Sequence, residues 1–279
     1  MASFEEIYNE SIKISQNLVE DIRFSRKIDL APIRKCSGHI CRYLDSDTNI
    51  LALLNSVQDK NPYMYSHLVN VAFISFAIGK WMKLNNSDLI KLACAGFLHD
   101  IGKAKIRDSL LNIPGKLTEQ EMETVRTHPI IAYKILDKLN ELEPEVLFGV
   151  LSHHERQDGT GYPMGLKGNG ISLFGRIIAI ADTYDAITAT KSYHTKDSPF
   201  KAVEEIQKSS FHSLDPHICQ IFINNILNYY YGSVVRLNNE NVGEIIYVNP
   251  AEITKPLIRC ENEFIDLSKE RDLEIVEIL

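Results

Sequence analysis

The sequence contains few cysteines and no paired cysteine motif. Its 279 residues include five cysteines, an odd number without a Cys-x-x-Cys pair. They are scattered at Cys36, Cys41, Cys94, Cys219 and Cys260. This pattern predicts neither a disulfide framework nor a zinc knuckle, so any metal ligands are expected to be nitrogen and oxygen atoms.

An excess of positive charge and a long apolar run are also lacking. The net charge of -7 and the pI near 5.7 argue against a nucleic-acid polymer as partner, because duplex binding depends on basic contacts to phosphate. A small anionic ligand in a local basic pocket stays compatible with this charge. No apolar run approaches a membrane span, and residues 1–6 are acidic where a signal peptide would be basic and then apolar. The sequence predicts a cytoplasmic protein with no membrane partner.

The hydrophobic pattern is mainly helical. Hydrophobic residues make up 44% of the chain, which suffices for a substantial core. Apolar residues recur at helical spacing from Phe4 to Ile22, which predicts an amphipathic helix that ends before Pro32 and packs on the main body. From about residue 40 to residue 231 the pattern predicts helix after helix, because no sustained alternation of apolar and polar residues occurs.

Capping residues predict three helix starts in this body. Asn61 precedes Pro62, which predicts a helix that begins at the proline and runs to about Leu84. Thr118 opens a Thr-x-x-Glu capping box. Ser87 is the predicted cap of the helix that ends near residue 98.

After Gly232 the pattern changes to short β-rich runs. Residues 233–237 and 242–248 surround a predicted turn at 238–241, and two more runs lie near Ile258 and Ile275. We expect a small sheet or barrel that docks on the helices, because no low-complexity linker precedes it. The predicted fold is mainly α, with an N-terminal helical segment (1–44), a helical domain (45–231) and a small C-terminal β appendage (232–279).

Five of the nine histidines occupy settings that packing alone would not select. The pair His99-Asp100 closes a helix that is apolar almost all round, where an unpaired carboxylate would cost several kcal/mol to bury. The doublet His153-His154 ends another apolar helix, and two adjacent imidazoles cannot both point into a core. The remaining two are His67 and His128.

Aspartates in apolar surroundings complete a candidate metal centre. Asp182 lies in the apolar run 177–187, and we interpret it as a ligand, whereas a capping or salt-bridging role stays open for Asp185. Imidazoles and carboxylates without thiolate suit iron or manganese as well as zinc. Such a set fits phosphodiester hydrolysis, in which two metals generate a bridging hydroxide and neutralise charge, with Asp100 as the natural bridge. A lone His67 would more often be a core histidine.

The motifs resemble those of the HD-GYP domain, the branch of the HD phosphohydrolase superfamily that hydrolyses cyclic di-GMP. The resemblance covers roughly residues 45 to 230 and rests on the sequences His-Asp-Ile-Gly-Lys at 99–103, His-Pro at 128–129, the string from His153 to Pro163, and Ala-Asp-Thr-Tyr-Asp-Ala at 181–186. It implies an HD-type helical bundle and hydrolysis to linear pGpG, with onward cleavage to GMP left open.

The resemblance also implies roles for individual residues. One metal would be held by His67, His99, Asp100 and Asp182, and a second by Asp100, His128, His153 and His154. Lys103 would face the substrate phosphate and stabilise developing negative charge. Substrate contacts would come from Lys103, Asp158, Gly161, Tyr162, Pro163, Lys191 and His194. Iron or manganese is favoured, and zinc, nickel, cobalt or magnesium stay open.

Two features depart from the family pattern. Tyr63 stands where members with a third metal carry a glutamate, so we predict two metals and activity that is slower or limited to the first cleavage. Lys191 and His194 stand where the family has two phosphate-binding arginines. Lysine keeps its charge but loses the bidentate fork, and histidine is at best partly charged at neutral pH, which makes phosphate affinity less certain than metal binding.

Three functions therefore compete. The first is a cytoplasmic metal-dependent phosphodiesterase acting on cyclic di-GMP, and the second is a sensor that binds the dinucleotide with little turnover. The third is a hydrolase of another cyclic dinucleotide or of a nucleotide monophosphate, although the GYP string argues against a monophosphate. A homodimer or a protein partner, formed through the N-terminal helix or the β appendage, stays open.

Overall fold

Helices form most of the chain in the computed structural model. The described residues are 3–44, 50, 53–54, 57, 62–113, 115–189, 199–249, 252–261, 263–270 and 272–279. The helices are α1 (Phe4–Arg23), α2 (Ala31–Tyr43), α3 (Tyr63–Trp81), α4 (Asn86–Leu98), α5 (Asp108–Leu111), α6 (Glu119–Val125), α7 (His128–Asp137), α8 (Pro144–Ser152), α9 (Leu173–Thr188), α10 (Pro199–Ser209) and α11 (Pro216–Tyr230), with short 3-10 turns at Ile101–Lys105 and Gly168–Gly170.

The N-terminal helix α1 forms and docks as predicted. Ser3 and Glu6 form a capping box at its start, and α1 ends at Arg23, before Pro32. Its apolar face is buried from Phe4 to Ile22, and the Phe4 ring packs edge-on against Phe73 of α3, with ring centroids 5.4 Å apart. The helix therefore lies on the main body.

Two of the predicted helix starts need correction. The cap of α4 is Asn85, whose Oδ1 accepts a hydrogen bond from the Asp88 N–H at 3.0 Å, so the prediction of Ser87 was wrong. Asparagine caps at least as well as serine, and the earlier of the two polar residues takes the position. Pro62 is the N-cap residue of α3 rather than its first helical residue, and α3 ends at Trp81; Asn61 lies outside the described residues.

The capping box at Thr118 is confirmed. The Thr118 hydroxyl accepts from the Glu121 N–H, and the Glu121 carboxylate accepts from the Thr118 N–H at 2.8 Å. This box starts α6, and α7 follows after two turn residues. The local sequence thus fixes where the short helix before His128 begins.

The predicted β appendage is a five-stranded antiparallel sheet. Its strands are β1 (Val234–Leu237), β2 (Val242–Tyr247), β3 (Leu257–Cys260), β4 (Glu263–Asp266) and β5 (Ile275–Ile278), in the order β4-β3-β2-β1-β5. The hairpin around 238–241 is confirmed, whereas β4 was not predicted. The sheet buries Val235, Ile245 and Ile258 in the same hydrophobic core as the helices. The boundaries at residues 44 and 231 stay predictions.

The ends of several helices meet on one side of this core. The C-terminal ends of α4 and α8, the first residue of α7, the second turn of α3 and the middle of α9 converge there, and the candidate ligands lie at these points. Among the described helices, none has the length and apolar character needed to cross a membrane.

Candidate metal centre

The seven predicted metal ligands lie together. Two groups of ligand atoms, each spanning no more than 4.8 Å, share Asp100: one contains His67 and His99, and the other contains His128, His153 and His154. Asp182 lies against both groups. Its Oδ1 is 3.2 Å from His67 Nε2, and its Oδ2 is 3.8 Å from His154 Nδ1.

The two oxygens of Asp100 face different histidines. Oδ2 is 3.5 Å from the Nε2 atoms of both His67 and His99. Oδ1 is 3.0 Å from His128 Nε2 and 3.7 Å from His153 Nε2. A carboxylate that divides its oxygens in this way can bridge two cations, one in each half of the centre.

Helix ends orient three of the imidazoles. The last carbonyls of a helix have no partner within it, and an imidazole Nδ1–H can satisfy one of them. Each of the three Nδ1 atoms lies 2.7 Å from the backbone oxygen three residues earlier: His99 on Gly96, His128 on Val125 and His153 on Val150. Because Nδ1 carries the proton, each Nε2 presents its lone pair to the centre.

These lone pairs make the arrangement fit a cation. His99 Nε2 lies 3.3 Å from His67 Nε2, and His128 Nε2 lies 3.4 Å from His153 Nε2. Asp100 Oδ1 is buried without a hydrogen-bond partner among the described residues. Lone pairs and an anionic oxygen that face one another across a buried space repel unless positive charge lies between them, and a divalent metal ion supplies that charge.

Burial sets the protonation of these ligands. Burial lowers the pKa of His99 to about 3, and it lowers the pKa values of His128 and His154 as well, so these imidazoles are neutral at pH 7, the form that binds metals. Burial alone would raise the pKa of Asp100, but Lys103 and the neighbouring imidazoles outweigh burial and hold this pKa well below its usual range. The acid is therefore ionised.

His67 takes its orientation from side chains. Its Nδ1 is 2.6 Å from Asp185 Oδ2, and the Asp185 Oδ1 accepts from Asn70 Nδ2 at 2.7 Å. The Tyr63 hydroxyl lies 3.3 Å from the same Nδ1, and the two rings stack with centroids 5.1 Å apart. Burial lowers the His67 pKa, but the hydrogen bonds to Asp100, Asp182 and Asp185 outweigh it and raise the pKa well above its ordinary value. A cation bound at Nε2 would displace the proton that Asp100 and Asp182 hold there, so His67 would bind it as a neutral imidazole. Asp185 thus takes the salt-bridging role left open by the sequence.

The loop after the doublet packs its tyrosine on the centre. The Tyr162 ring stacks on His154, with centroids 4.6 Å apart, and the Arg126 guanidinium lies 5.5 Å from the centroid of the Tyr162 ring. Gly161 is required here, because a Cβ would lie 2.4 Å from the Arg156 backbone nitrogen. The close approach of the Gly161 and Arg156 backbones lets Tyr162 reach His154.

A buried carboxylate holds the end of the same loop. Glu155 is 2% exposed, its Oε1 accepts from the Met164 N–H at 2.7 Å, and its Oε2 accepts from the Leu166 N–H at 2.9 Å. Sequence reasoning missed Glu155, Asn70 and Arg126 as supports of the site. Their signals were proximity to predicted ligands: Glu155 follows His154, and Asn70 lies one helical turn after His67.

The predicted substrate residues occupy different positions. Lys103 Nζ donates to Asp100 Oδ2 and its side chain is 27% exposed. Asp158 is exposed, and its Oδ1 accepts from the N–H and the hydroxyl of Thr160, so it stabilises a turn. Lys191 and His194 lie outside the described residues. The part of Pro163 in substrate binding stays a prediction.

The centre opens to solvent on one side. The side chains of His99 and His153 are fully buried. Those of His154 and Asp182 are 15% and 14% exposed, and Lys103 is more exposed still. A ligand would therefore reach the centre where Lys103, His154 and Asp182 are exposed.

Comparisons with known proteins agree with this geometry. Residues 52–218 match the model of the HD domain family. A cyclic di-GMP phosphodiesterase of Pseudomonas aeruginosa is 31% identical over 243 residues, which are 87% of this chain and 58% of the relative. A 3'3'-cGAMP-specific phosphodiesterase of Vibrio cholerae is 32% identical over 74% of this chain and 46% of the relative. The chain thus spans about half the length of these relatives.

A solved structure shows a similar fold. The HDG"Y"P protein Bd1817 of Bdellovibrio bacteriovorus superposes with a TM-score of 0.65 over 81% of this chain and 73% of that chain. The two sequences are 15% identical. The likeness therefore concerns the arrangement of the helices and not the substrate.

Proposed function

The chain belongs to the HD domain family, as its motifs predicted, and we propose that it hydrolyses cyclic di-GMP to linear pGpG in a metal-dependent reaction. The observation that carries the proposal is the division of the Asp100 carboxylate between two groups of imidazoles, each 3.0 to 3.7 Å away. The relatives that are cyclic-dinucleotide phosphodiesterases supply the substrate class. Onward cleavage to GMP is left open.

We assign one metal to each half of the centre. His67, His99, Asp100 and Asp182 would hold the first, and Asp100, His128, His153 and His154 the second. Bound there, two cations would lower the pKa of a water and neutralise charge on the phosphate oxygens. The nitrogen and oxygen donors favour iron or manganese, with zinc, nickel, cobalt and magnesium as alternatives.

The mouth of the centre carries the groups suited to a nucleotide. Two of its groups are positive: Lys103 contacts the ligand Asp100, and Arg126 lies over the Tyr162 ring, which stacks on His154. Lys103 would bind a non-bridging phosphate oxygen once its contact with Asp100 is released. Tyr162 would contact a guanine base through its hydroxyl, or by stacking if the base takes the place of the Arg126 guanidinium over the ring. Contacts from Lys191, His194 and Asp158 stay predictions.

A second candidate substrate is 3'3'-cGAMP. The Vibrio cholerae relative specific for it is as similar to this chain as the cyclic di-GMP phosphodiesterase. Both dinucleotides share two phosphodiester linkages and at least one guanine, so the centre would treat the scissile bond alike. A sensor without turnover is less favoured, because binding alone would not require every ligand position to be filled.

The proposal is tested with protein purified without air and without chelator. We expect elemental analysis to find two transition metals per chain, and metal-loaded protein to consume cyclic di-GMP with pGpG as the product seen by chromatography. Parallel reactions with 3'3'-cGAMP decide between the two substrates. Failure to consume either with iron, manganese or zinc would remove the enzyme proposal, and tight binding without product would favour the sensor.

An Asp100→Asn variant tests the bridging role. Loss of an outer-shell partner lowers activity or metal affinity by about 10- to 100-fold. Loss of the bridge itself should cost at least the upper end of that range. The matched control is Asp137→Asn, which changes the same chemical group at an exposed position on α7.

A cytoplasmic location and a homodimer or protein partner stay predictions.

A further inference from the structure

His67 differs from the other ligands in its place on a helix. His99, His128 and His153 lie at helix ends, where free carbonyls orient them. His67 lies inside α3, where the carbonyls of the preceding turn are used by the helix. Its orientation must come from another part of the chain.

A line of three hydrogen bonds leads from His67 to the N-terminal helix. The Tyr8 hydroxyl donates to Asn70 Oδ1 at 2.9 Å, Asn70 Nδ2 donates to Asp185 Oδ1 at 2.7 Å, and Asp185 Oδ2 lies 2.6 Å from His67 Nδ1. The roles along the line are consistent: the hydroxyl donates, the amide accepts through Oδ1 and donates through Nδ2, the carboxylate accepts through both oxygens, and the imidazole donates its Nδ1 proton. Nε2 of His67 is left to face Asp100 and Asp182.

The docking of α1 places the first member of this line. Tyr8 is 3% exposed, and its ring packs against Phe73 with centroids 6.3 Å apart. Phe4 packs on the same Phe73 ring. Phe73 lies on α3 one helical turn beyond Asn70, so the aromatic contacts hold the Tyr8 hydroxyl over the Asn70 amide. Helix α1 lies outside residues 52–218, which match the family.

We infer that Tyr8, Asn70 and Asp185 are positioning residues that make the docking of α1 a determinant of metal affinity in the half of the centre that contains His67. The inference rests on the proposed role of His67 as a ligand. Tyr8 fixes the Asn70 amide, the amide fixes the Asp185 carboxylate, and the carboxylate holds the imidazole so that Nε2 points at the metal position. Displacement of α1 would separate the Tyr8 hydroxyl from Asn70 and so weaken the hold of Asp185 on the His67 imidazole.

The test compares manganese binding by the full chain and its variants. Mn²⁺ is titrated against a competing chelator, and the affinities of the two ions are fitted separately. Asp185→Asn should weaken one ion by about 10- to 100-fold, the range for a direct outer-shell partner of a ligand histidine. Tyr8→Phe removes only a hydroxyl two hydrogen bonds further out, so we expect a smaller loss, about 3- to 10-fold, for the same ion.

The double variant separates positioning from general stability. If Tyr8 acts through Asp185, Tyr8→Phe should add no further loss once Asp185→Asn is present, whereas independent effects would multiply. The matched control is Tyr43→Phe, which removes a hydroxyl from the same aromatic layer, where Tyr43 packs against Phe4. This control should keep both affinities.

Three results would overturn the inference. Wild-type Mn²⁺ affinities in Tyr8→Phe would show that Tyr8 does not act on the centre. Losses of affinity that multiply in the double variant would show that Tyr8 does not act through Asp185. An equal loss in Tyr43→Phe would assign the effect to the aromatic layer instead. A wild-type chain that binds neither Mn²⁺ nor, in the same assay, Fe²⁺ or Zn²⁺ would instead refute the metal assignment itself, so the two failures are distinguishable.

Discussion

Gly102 is the position where one added methyl group should damage the metal centre most directly. It lies in the 3-10 turn that follows Asp100, and this turn packs against the first residues of α7. A Cβ at Gly102 would lie 2.0 Å from the backbone oxygen of His128 and 2.9 Å from the backbone nitrogen of Ala132. Both are backbone atoms, so no side chain can rotate away. Gly102→Ala must therefore push the turn and α7 apart.

The size of the effect follows from these distances. Carbon and oxygen in close contact are roughly 3.3 Å apart, so the turn has to move by about 1.3 Å. Asp100 Oδ1 and His128 Nε2 are now 3.0 Å apart, a spacing that one metal can span with bonds of about 2.0–2.2 Å. The same displacement would open that spacing beyond 4 Å. We expect Gly102→Ala to lose about 1–3 kcal/mol of stability by overpacking.

Metal binding is the more specific readout. We expect at least a tenfold loss of affinity, about 1.4 kcal/mol, for the ion in the half that contains His128, and a parallel fall in the proposed phosphodiesterase activity. Urea unfolding gives the stability, and chelator competition gives the two metal affinities. The control is Gly38→Ala in α2, where no atom lies within 4 Å of the added Cβ. That variant should gain about 0.5–1 kcal/mol from helix propensity. Gly102→Ala with wild-type unfolding and wild-type metal content would refute the reasoning.

Three further predictions concern the loop, a helix cap and the thiols. Glu155→Gln replaces one of two accepting oxygens by an N–H donor, which should lower the free energy of unfolding by about 1–3 kcal/mol. The variant should also raise KM, because the loop that carries Tyr162 loses its anchor, while metal content stays constant. A loss of metal would contradict this prediction. Asn85→Ala should destabilise the fold by about 1 kcal/mol in urea unfolding, whereas Ser87→Ala should change it by less than about 0.5 kcal/mol, and equal effects would argue against the observed cap. Burial raises the pKa of the Cys36 thiol to about 11 and those of Cys94 and Cys219 to about 12, so all three stay protonated until the pH rises through those values. In the folded chain at pH 8 they should resist iodoacetamide, and in urea they should react, as read by mass spectrometry. Rapid labelling of any one in the folded chain would contradict its burial.

Local sequence accounts for much of the fold and for its helix boundaries. The spacing of apolar residues predicts α1, and the Thr118 box predicts the start of α6, because both depend on residues within one or two turns. The error at Ser87 arose because two capping residues, Asn85 and Ser87, lie two positions apart and the sequence permits either as the cap. Strand β4 was missed because its residues are exposed or half-buried, which leaves little apolar alternation to detect.

Local sequence likewise accounts for some features of the candidate site and not for others. The positions of His99, His128 and His153 at helix ends are written in the sequence, and so is their orientation, because each Nδ1 binds the carbonyl three residues before it. Asp100 was predicted as a bridge from its chemistry alone. What local sequence cannot contain is the distance between elements that are far apart along the chain.

Tertiary packing decides the rest of the site. The orientation of His67 depends on Asp185, 118 residues away, and the Tyr8 hydroxyl reaches Asn70 across 62 residues. The short distance between Asp100 Oδ1 and His128 Nε2 depends on the close approach that Gly102 allows between the 3-10 turn and α7. The sequence therefore determines which atoms can bind a metal and how the histidines at helix ends are held by carbonyls three residues earlier. Only the packed core sets the ångström-scale spacing at which the ligands act together, because that spacing depends on contacts made by every layer at once.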